Sequence, residues 1–526
     1  RRVHGGINMT AQFLSEFLTK VVYSVLFHIL GAKKIIAFVV KSKPIKTSPL
    51  HPQALLQQPP DDFNGSDAAV VCDVDGCLLT TQSFFPFFML VAFEGGSLIR
   101  GLLLLLTWPV LCLLSYRSQL RVMIFVTFCG LKVRHVETVS RGILPKFYAE
   151  NLSSKAWNIL RRFGSRIVIT SVPRVMVERF LVDYLEADEV IGSELQSSGS
   201  FFTGFVNGSG VLVKHKALKT RFKDNTKPYV GLGNALRKDH LFFLSLCKDA
   251  YVVTPDDAKI KCEKPIVFHD GRLAFLPKPA AAAGMFLWIP VGLALALFRI
   301  FIGVLLPYKL ALALGKLSGI EIKVKGQTAQ TLTNGAGVLY VCNHRTLLDP
   351  VFLSSSLGRP LCAVTYSLSR LSEIISPIKT VRLTRERTAD AATMKKLLEE
   401  GDLVVCPEGT TCREPYLLRF SSLFAEVADD VVPVAINTKV TMFYGTTASG
   451  AKWLDPICFL MNPNPAYHIY IMDKLPKELT RRGGRSSHEI ANYLQRQMAV
   501  VLGFQCTNLT RLDKYLILAG NDGVVR

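Results

Sequence analysis

Hydrophobic and polar positions along this chain fall into two long α/β rhythms. From about Asp67 to Val253, short apolar runs such as AAVVCD, SRIVITS, ADEVIG and KPYVGLG alternate with helical stretches such as VMVERFLVDYLE. From about Leu317 to Gln505 the rhythm returns in GVLYVCN, CAVTYS, DLVVCPEG, VVPVAI and YHIYIM. Strands alternating with helices predict two α/β units, each built on a mostly parallel, doubly wound sheet.

Three apolar regions flank or interrupt these units. Met9 to Val40 is broken by Glu16, Lys20, His28, Lys33 and Lys34, the pattern of an amphipathic interfacial helix. Gly101 to Tyr116 is uncharged but shorter than the roughly 20 residues a perpendicular span needs. Pro279 to Phe298 is long enough, with Pro290 expected to kink it. The apolar Ile300 to Tyr308 follows, so a hairpin or re-entrant arrangement is plausible. Membrane embedding is the expectation, with flanking Lys and Arg facing anionic lipid. Packing residues 84–130 against 279–308 would hold both globular units on one membrane face. The resulting boundaries are a membrane-associated N-terminal helix at 1–41, a linker at 42–66 and a first globular domain at 67–275 with an apolar insertion at 81–130. A transmembrane or re-entrant segment follows at 276–316, and a second domain at 317–526.

Composition narrows the partners. The 526 residues are 49% hydrophobic and 20% charged, which excludes a disordered chain. A formal charge of +21 calls for an anionic partner. No nucleic-acid module is recognised, and a mean hydropathy of +0.29 favours anionic lipid over nucleic acid. The 12 cysteines include no Cys-x-x-Cys pair, so they read as buried thiols in a reducing compartment and not as metal ligands. The RRVHGG start has no clean signal peptide with a small-residue cleavage site.

The strongest chemistry lies in the second unit. His344 and Asp349 stand in VCNHRTLLDP, just past a strand-like run, where sites in α/β folds usually lie. Five residues at about 100° each place Asp349 about 140° round an ideal helix from His344. The pair meets only if His344 occupies the turn and Asp349 the first helical turn. The carboxylate would then hold one imidazole nitrogen while the other accepts a proton, a general base needing no side-chain nucleophile. Further on come KTVRLTRER (379 to 387), a basic edge suited to phosphate, then CPEGTTCREPYLLRF (406 to 420) and VPVAI (432 to 436).

In this order and spacing the four blocks resemble the glycerolipid acyltransferase superfamily. FFPFFMLVAFEGG, FHDGRLAFLP, PEGTTCREPYLLRF, MFYGTTASG and RLDKYLILAGNDG look like the land-plant sn-2 glycerol-3-phosphate acyltransferases. VLVKHKA and FLMNPNP point to the mitochondrial-type branch of that family. The resemblance runs from Asp67 to the C-terminus. It implies acyl-CoA and glycerol 3-phosphate as substrates, lysophosphatidic acid as product, and a mitochondrial or endoplasmic reticulum membrane as the location. It assigns His344 as base and Asp349 as its orienting partner. Arg382, Arg385 and Arg413 become phosphate ligands. Glu408, Gly409 and Thr410 form the substrate loop, with Gly409 allowing close approach of the backbone. The wider superfamily has Arg directly after E-G-T; here Thr411 stands there and Arg413 follows.

The first unit resembles the haloacid dehalogenase-like phosphatases. Asp73 and Asp75 in VVCDVDGC match the first motif, Ser171 the second, and Lys214 or Lys216 the third. The apolar insertion falls where that superfamily places its cap. The fourth motif fails: Asn234 stands near the first acidic position, and His240 and Phe242 fall where active relatives carry paired carboxylates, with Asp239 able to compensate only by a register shift. Asp73 and Asp75 are therefore expected to be uncompensated neighbours, Mg2+ to bind weakly, and phosphatase activity to be lost. The competing readings are a bifunctional acyltransferase–phosphatase, a lysophospholipid acyltransferase and a non-catalytic lipid-binding scaffold. Oligomeric state is left open.

Overall fold

The computed structural model describes residues 69–208, 210–222, 230–234, 243–253, 266–326, 337–366, 373, 375–448 and 450–522. The expected amphipathic helix at 9–40, the linker, and the fourth phosphatase-like block from Ala235 to Phe242 lie outside them.

The N-terminal unit contains β1 (Ala69–Asp73), β2 (Ser165–Pro173), β3 (Glu189–Ser193), the hairpin β4 (Leu195–Ser198) and β5 (Phe201–Val206), then β6 (Val230–Gly233) and β7 (Asp249–Val252). A parallel sheet forms in the order β3-β2-β1-β6-β7. The β-branched run of β1 is buried on both faces, as expected of a central parallel strand, and it ends at the buried Asp73.

Between β1 and β2 the apolar insertion divides into two parts. Helix Phe85–Leu90 is buried at every position and belongs to the core. Helices Leu98–Leu106 and Trp108–Leu113 instead expose Leu98, Ile99, Leu102, Leu106 and Leu113.

The long helix Pro279–Leu305 has the same two-sided character. Among the described residues it is the one helix long and apolar enough to cross a membrane, with a mean hydropathy of 2.2. Its 27 residues extend about 40 Å, more than a bilayer core of about 30 Å. Met285, Gly292, Ala296, Arg299 and Ile302 line one buried face, while Leu287, Val291, Leu297, Phe301 and Leu305 are exposed. Phe286 meets Phe93 edge-on, with ring centroids 6.4 Å apart, so the apolar elements of the two halves do pack together. Arg299 fastens the C-terminal third of the helix, donating to the carbonyls of Leu460 at 2.7 Å, Asn462 at 2.6 Å and Pro463 at 2.9 Å.

The C-terminal unit contains β8 (Glu321–Lys325), β9 (Leu339–Cys342), β10 (Cys362–Thr365), β11 (Lys379–Arg382), β12 (Leu403–Val405), β13 (Tyr416–Leu417), β14 (Val431–Lys439), β15 (Ala466–Ile471) and β16 (Gln505–Cys506). Seven of these form one sheet in the order β11-β10-β12-β9-β14-β15-β8, parallel except for the β14–β15 pair. This order decides which motifs meet. The His344, Glu408 and VPVAI blocks sit on the adjacent strands β9, β12 and β14, or just beyond their ends. Arg382 ends the edge strand β11, three strand spacings, or about 14 Å, from β9.

Residues 267–275 form a strap across the C-terminal unit and do not fold back on the first sheet. Tyr444 N donates to Arg272 O at 2.7 Å and Ala274 N to Met442 O at 2.9 Å. Glu94 from the insertion accepts the Arg272 and Leu273 amides at 2.6 and 2.9 Å, so the strap is gripped from both halves.

Candidate active site

Helix Asp349–Leu357 begins at Asp349, with Pro350 in its first turn, where a missing N–H costs nothing. His344 lies in the preceding turn, the arrangement the spacing demanded. His344 Nδ1 is 2.9 Å from Asp349 Oδ2. Asp349 is fully buried and also accepts from Arg345 N at 2.6 Å, Thr346 N at 3.0 Å and Tyr467 Oη at 3.1 Å. With so many donors the carboxylate is held in one orientation, which fixes the imidazole ring. Nε2, the other ring nitrogen, is not engaged by Asp349.

The Cys406 thiol lies within hydrogen-bonding reach of the same ring and 3.4 Å from Cys342 Sγ. Its hydrogen bond to Cys342, together with burial, pushes its pKa well up, so it stays uncharged at neutral pH. Burial works against charge on His344, but Cys406 and Asp349 outweigh it and hold the ring above the ordinary histidine range. With Cys406 neutral, Asp349 is the partner responsible. Eleven described cysteines are free thiols.

The loop 406–414 wraps this pair. Glu408 is buried, and both its oxygens serve the backbone, accepting His344 N at 2.7 Å and Leu418 N at 3.0 Å. Burial pushes its carboxyl up to about 7 despite those donors. Gly409 has φ +67°, and a Cβ built there would meet nothing within 4 Å. The left-handed backbone by itself favours glycine there. Arg345, which the sequence reading passed over, is 5% exposed and donates to the carbonyls of Cys412 and Glu414 at 2.6 Å each and Arg413 at 2.5 Å. Asn343 exchanges two hydrogen bonds with Ile436, tying the end of β9 to β14.

His344 opens on a cavity of about 410 Å³. Its walls are chiefly apolar and come from Ile302 and Val304 of the long helix, Leu348 and Phe352, and Ile375 and Ile457. Gly409, Thr410 and Thr411 face the same space. The three candidate phosphate arginines are not among its lining residues. Arg382 pairs with Glu373 at 2.7 Å. Arg385, at φ +71°, lies over the Tyr366 ring. Arg413 stacks on Tyr444 and donates to Thr446 and to Gly271 O of the strap.

In the N-terminal unit Asp73 and Asp75 are not the uncompensated neighbours expected. Lys214 Nζ bridges them, 2.5 Å from Asp73 Oδ1 and 2.8 Å from Asp75 Oδ2. The Thr170 hydroxyl donates to Asp75 at 2.5 Å, and Ser171 contributes only its amide, at 3.0 Å. The Asn234 side chain donates to Gly76 O. Among the described residues no group of three or more His, Cys, Asp or Glu side chains could hold a metal ion.

Comparison with known proteins places these two sites in one family. Residues 69–253 match the family model described as glycerol-3-phosphate acyltransferase RAM2-like, HAD-like domain, and residues 321–438 match the acyltransferase model. The chain is 54% identical to glycerol-3-phosphate acyltransferase 1 of Arabidopsis thaliana over 481 residues, covering 86% of this chain and 82% of that one. It is 53% identical to glycerol-3-phosphate acyltransferase RAM2 of Petunia hybrida, covering 86% of this chain and 97% of the relative. Probable glycerol-3-phosphate acyltransferase 2 of Arabidopsis thaliana is 44% identical, with 88% and 91% covered. The chain belongs to the plant glycerol-3-phosphate acyltransferase family, with a haloacid dehalogenase-like N-terminal unit and an acyltransferase C-terminal unit.

Proposed function

We propose that this protein is a membrane-bound acyl-CoA:glycerol-3-phosphate acyltransferase that acylates the sn-2 hydroxyl and releases lysophosphatidic acid. The observation that carries the reading is the His344–Asp349 pair, 2.9 Å apart and open to a largely apolar cavity. His344 Nε2 takes the proton of the glycerol hydroxyl as its oxygen attacks the thioester carbonyl. The C–S bond breaks, and the proton passes to the departing CoA thiolate. Asp349 keeps Nδ1 as the hydrogen-bond donor, so the base faces the substrate in the right tautomer. The apolar walls suit an acyl chain. The named relatives support the acceptor and the reaction class.

The exposed leucines of 98–113 and the outer face of Pro279–Leu305 support attachment to a bilayer, mitochondrial or endoplasmic reticulum. We assign the N-terminal site as a remnant without Mg2+-dependent phosphatase activity. Its two carboxylates already share an ammonium, and Asn234 stands where a further acid is needed.

Transfer from palmitoyl- or oleoyl-CoA to labelled glycerol 3-phosphate, without added metal, tests the first reading. Activity that collapses in H344A establishes it, and an inactive wild type across donors and acceptors sinks it. Incubation with lysophosphatidic acid and Mg2+ tests the second. Phosphate release that disappears in D73N would overturn it.

A further inference from the structure

The cavity beside His344 has one polar end, and its charges do not balance. Asp455 in the lining is paired with Arg272 at 2.7 Å, and Arg299 is spent on backbone carbonyls. Lys452 is different. Its ammonium lies 3.2 Å from Tyr515 Oη and 5.7 Å from the centre of that ring, with no carboxylate partner among the described residues. Lys514, 5% exposed, donates to the Thr411 carbonyl and likewise has no carboxylate partner there. Two lysines thus flank one tyrosine at the edge of an apolar cavity. Lys514 is buried, and burying uncompensated positive charge is costly unless an anion shares the space; Lys452 is half-buried at the cavity edge. Burial pushes the Tyr515 phenol up, but Lys452, Lys514 and a hydrogen bond with Thr410 outweigh it and bring it below the ordinary tyrosine value.

We propose that Lys452, backed by Lys514 and joined by the Thr410 and Tyr515 hydroxyls, binds the phosphate of the acyl acceptor. This assignment rests on the acyltransfer reading above. Phosphate is also present in CoA, and connectivity decides between the two sources. Thr410 follows directly on Glu408 and Gly409, and Cys412 N donates to His344 O at 2.7 Å, so the polar end adjoins the base. In glycerol 3-phosphate the phosphate lies one carbon from the reacting sn-2 carbon. In acyl-CoA the pantetheine arm separates phosphates from thioester. The arginines of the basic block are turned elsewhere: Arg382 to Glu373 and Arg385 over Tyr366.

The test is calorimetric titration of glycerol 3-phosphate into the detergent-solubilised full chain without acyl donor, comparing wild type, K452M and K452R. Loss of a charge-assisted hydrogen bond predicts affinity weakened about 10–100-fold in K452M and largely retained in K452R. Steady-state assays should match, with KM for glycerol 3-phosphate rising and KM for palmitoyl-CoA little changed. Unaltered glycerol 3-phosphate binding in K452M, or a rise confined to KM for palmitoyl-CoA, would overturn the assignment. Binding that depends on Lys452 in a protein that transfers no acyl group would uphold the phosphate site and sink the reaction instead.

Discussion

Asp73–Asp75 and His344–Asp349 both stand at the carboxyl end of a buried central strand, yet their neighbours give them opposite characters. At the first, one buried lysine bridges two carboxylates. At the second, a single carboxylate is held by backbone amides and a tyrosine, and the titrating group it supports faces a cavity. A charged motif at a strand end is placed for chemistry when its titrating group borders open space, as His344 does. Where a lysine already bridges the carboxylates, the same motif is proposed to serve structure.

The sharpest way to break this contrast is to remove the base. H344A should lower acyltransfer by about 10²–10⁴-fold while leaving the unfolding temperature near wild type, checked by parallel kinetics and thermal denaturation. K214M should do the reverse. Two buried carboxylates left without their cation should cost about 3–5 kcal/mol of stability, with specific activity of the folded fraction retained. An active phosphatase site hidden in that unit would instead announce itself as lysophosphatidic acid hydrolysis lost in the same variant.

A smaller effect concerns pH and stability. Glu408 holds its proton more tightly when folded, with a pKa near 7 against 4.5 as the ordinary value. Its contribution is therefore complete below about 4.5 and is lost as pH rises through 7, a span worth about 3 kcal/mol. In E408Q the decline of unfolding temperature over that range should flatten. An unchanged slope would mean that Glu408 is ionised in the fold.

The pH dependence of turnover sharpens the comparison further. As the proposed base, His344 must be neutral to act, and Asp349 raises its pKa, so the ascending limb of kcat should lie above the ordinary histidine range. D349N should move that limb to lower pH while lowering its plateau. The least effect is expected from R382A, since exposed pairs such as Arg382–Glu373 contribute only about 0.2–1 kcal/mol. A large rise in KM for glycerol 3-phosphate there would shift the phosphate site to the basic block.

Much of the His344–Asp349 pair was legible in the residues themselves. The five-residue step from His344 to Asp349 left one workable geometry, a turn followed by a first helical turn, and the fold adopts it. Gly409 was legible as a loop glycine, whereas its left-handed backbone is set only by the folded loop. Arg345 was passed over beside a more reactive neighbour. Its task, holding three carbonyls of a loop some 70 residues on, exists only once that loop has folded. Lys452 carried no motif signal, and its meaning depends on there being no carboxylate beside it among the described residues.

Local patterning by itself determined two α/β units, the apolar helices between them and the His344–Asp349 contact, because each follows from periodicity or short spacing. Tertiary structure decided the rest. Sheet order set the His344, Glu408 and VPVAI blocks on adjacent strands and left Arg382 at the far edge. Folding also brought Lys214 between Asp73 and Asp75, and Lys452 and Lys514 to one tyrosine. Electrostatic character is a sum over neighbours in space, and residues distant along the chain contribute to it only after the chain has closed on itself.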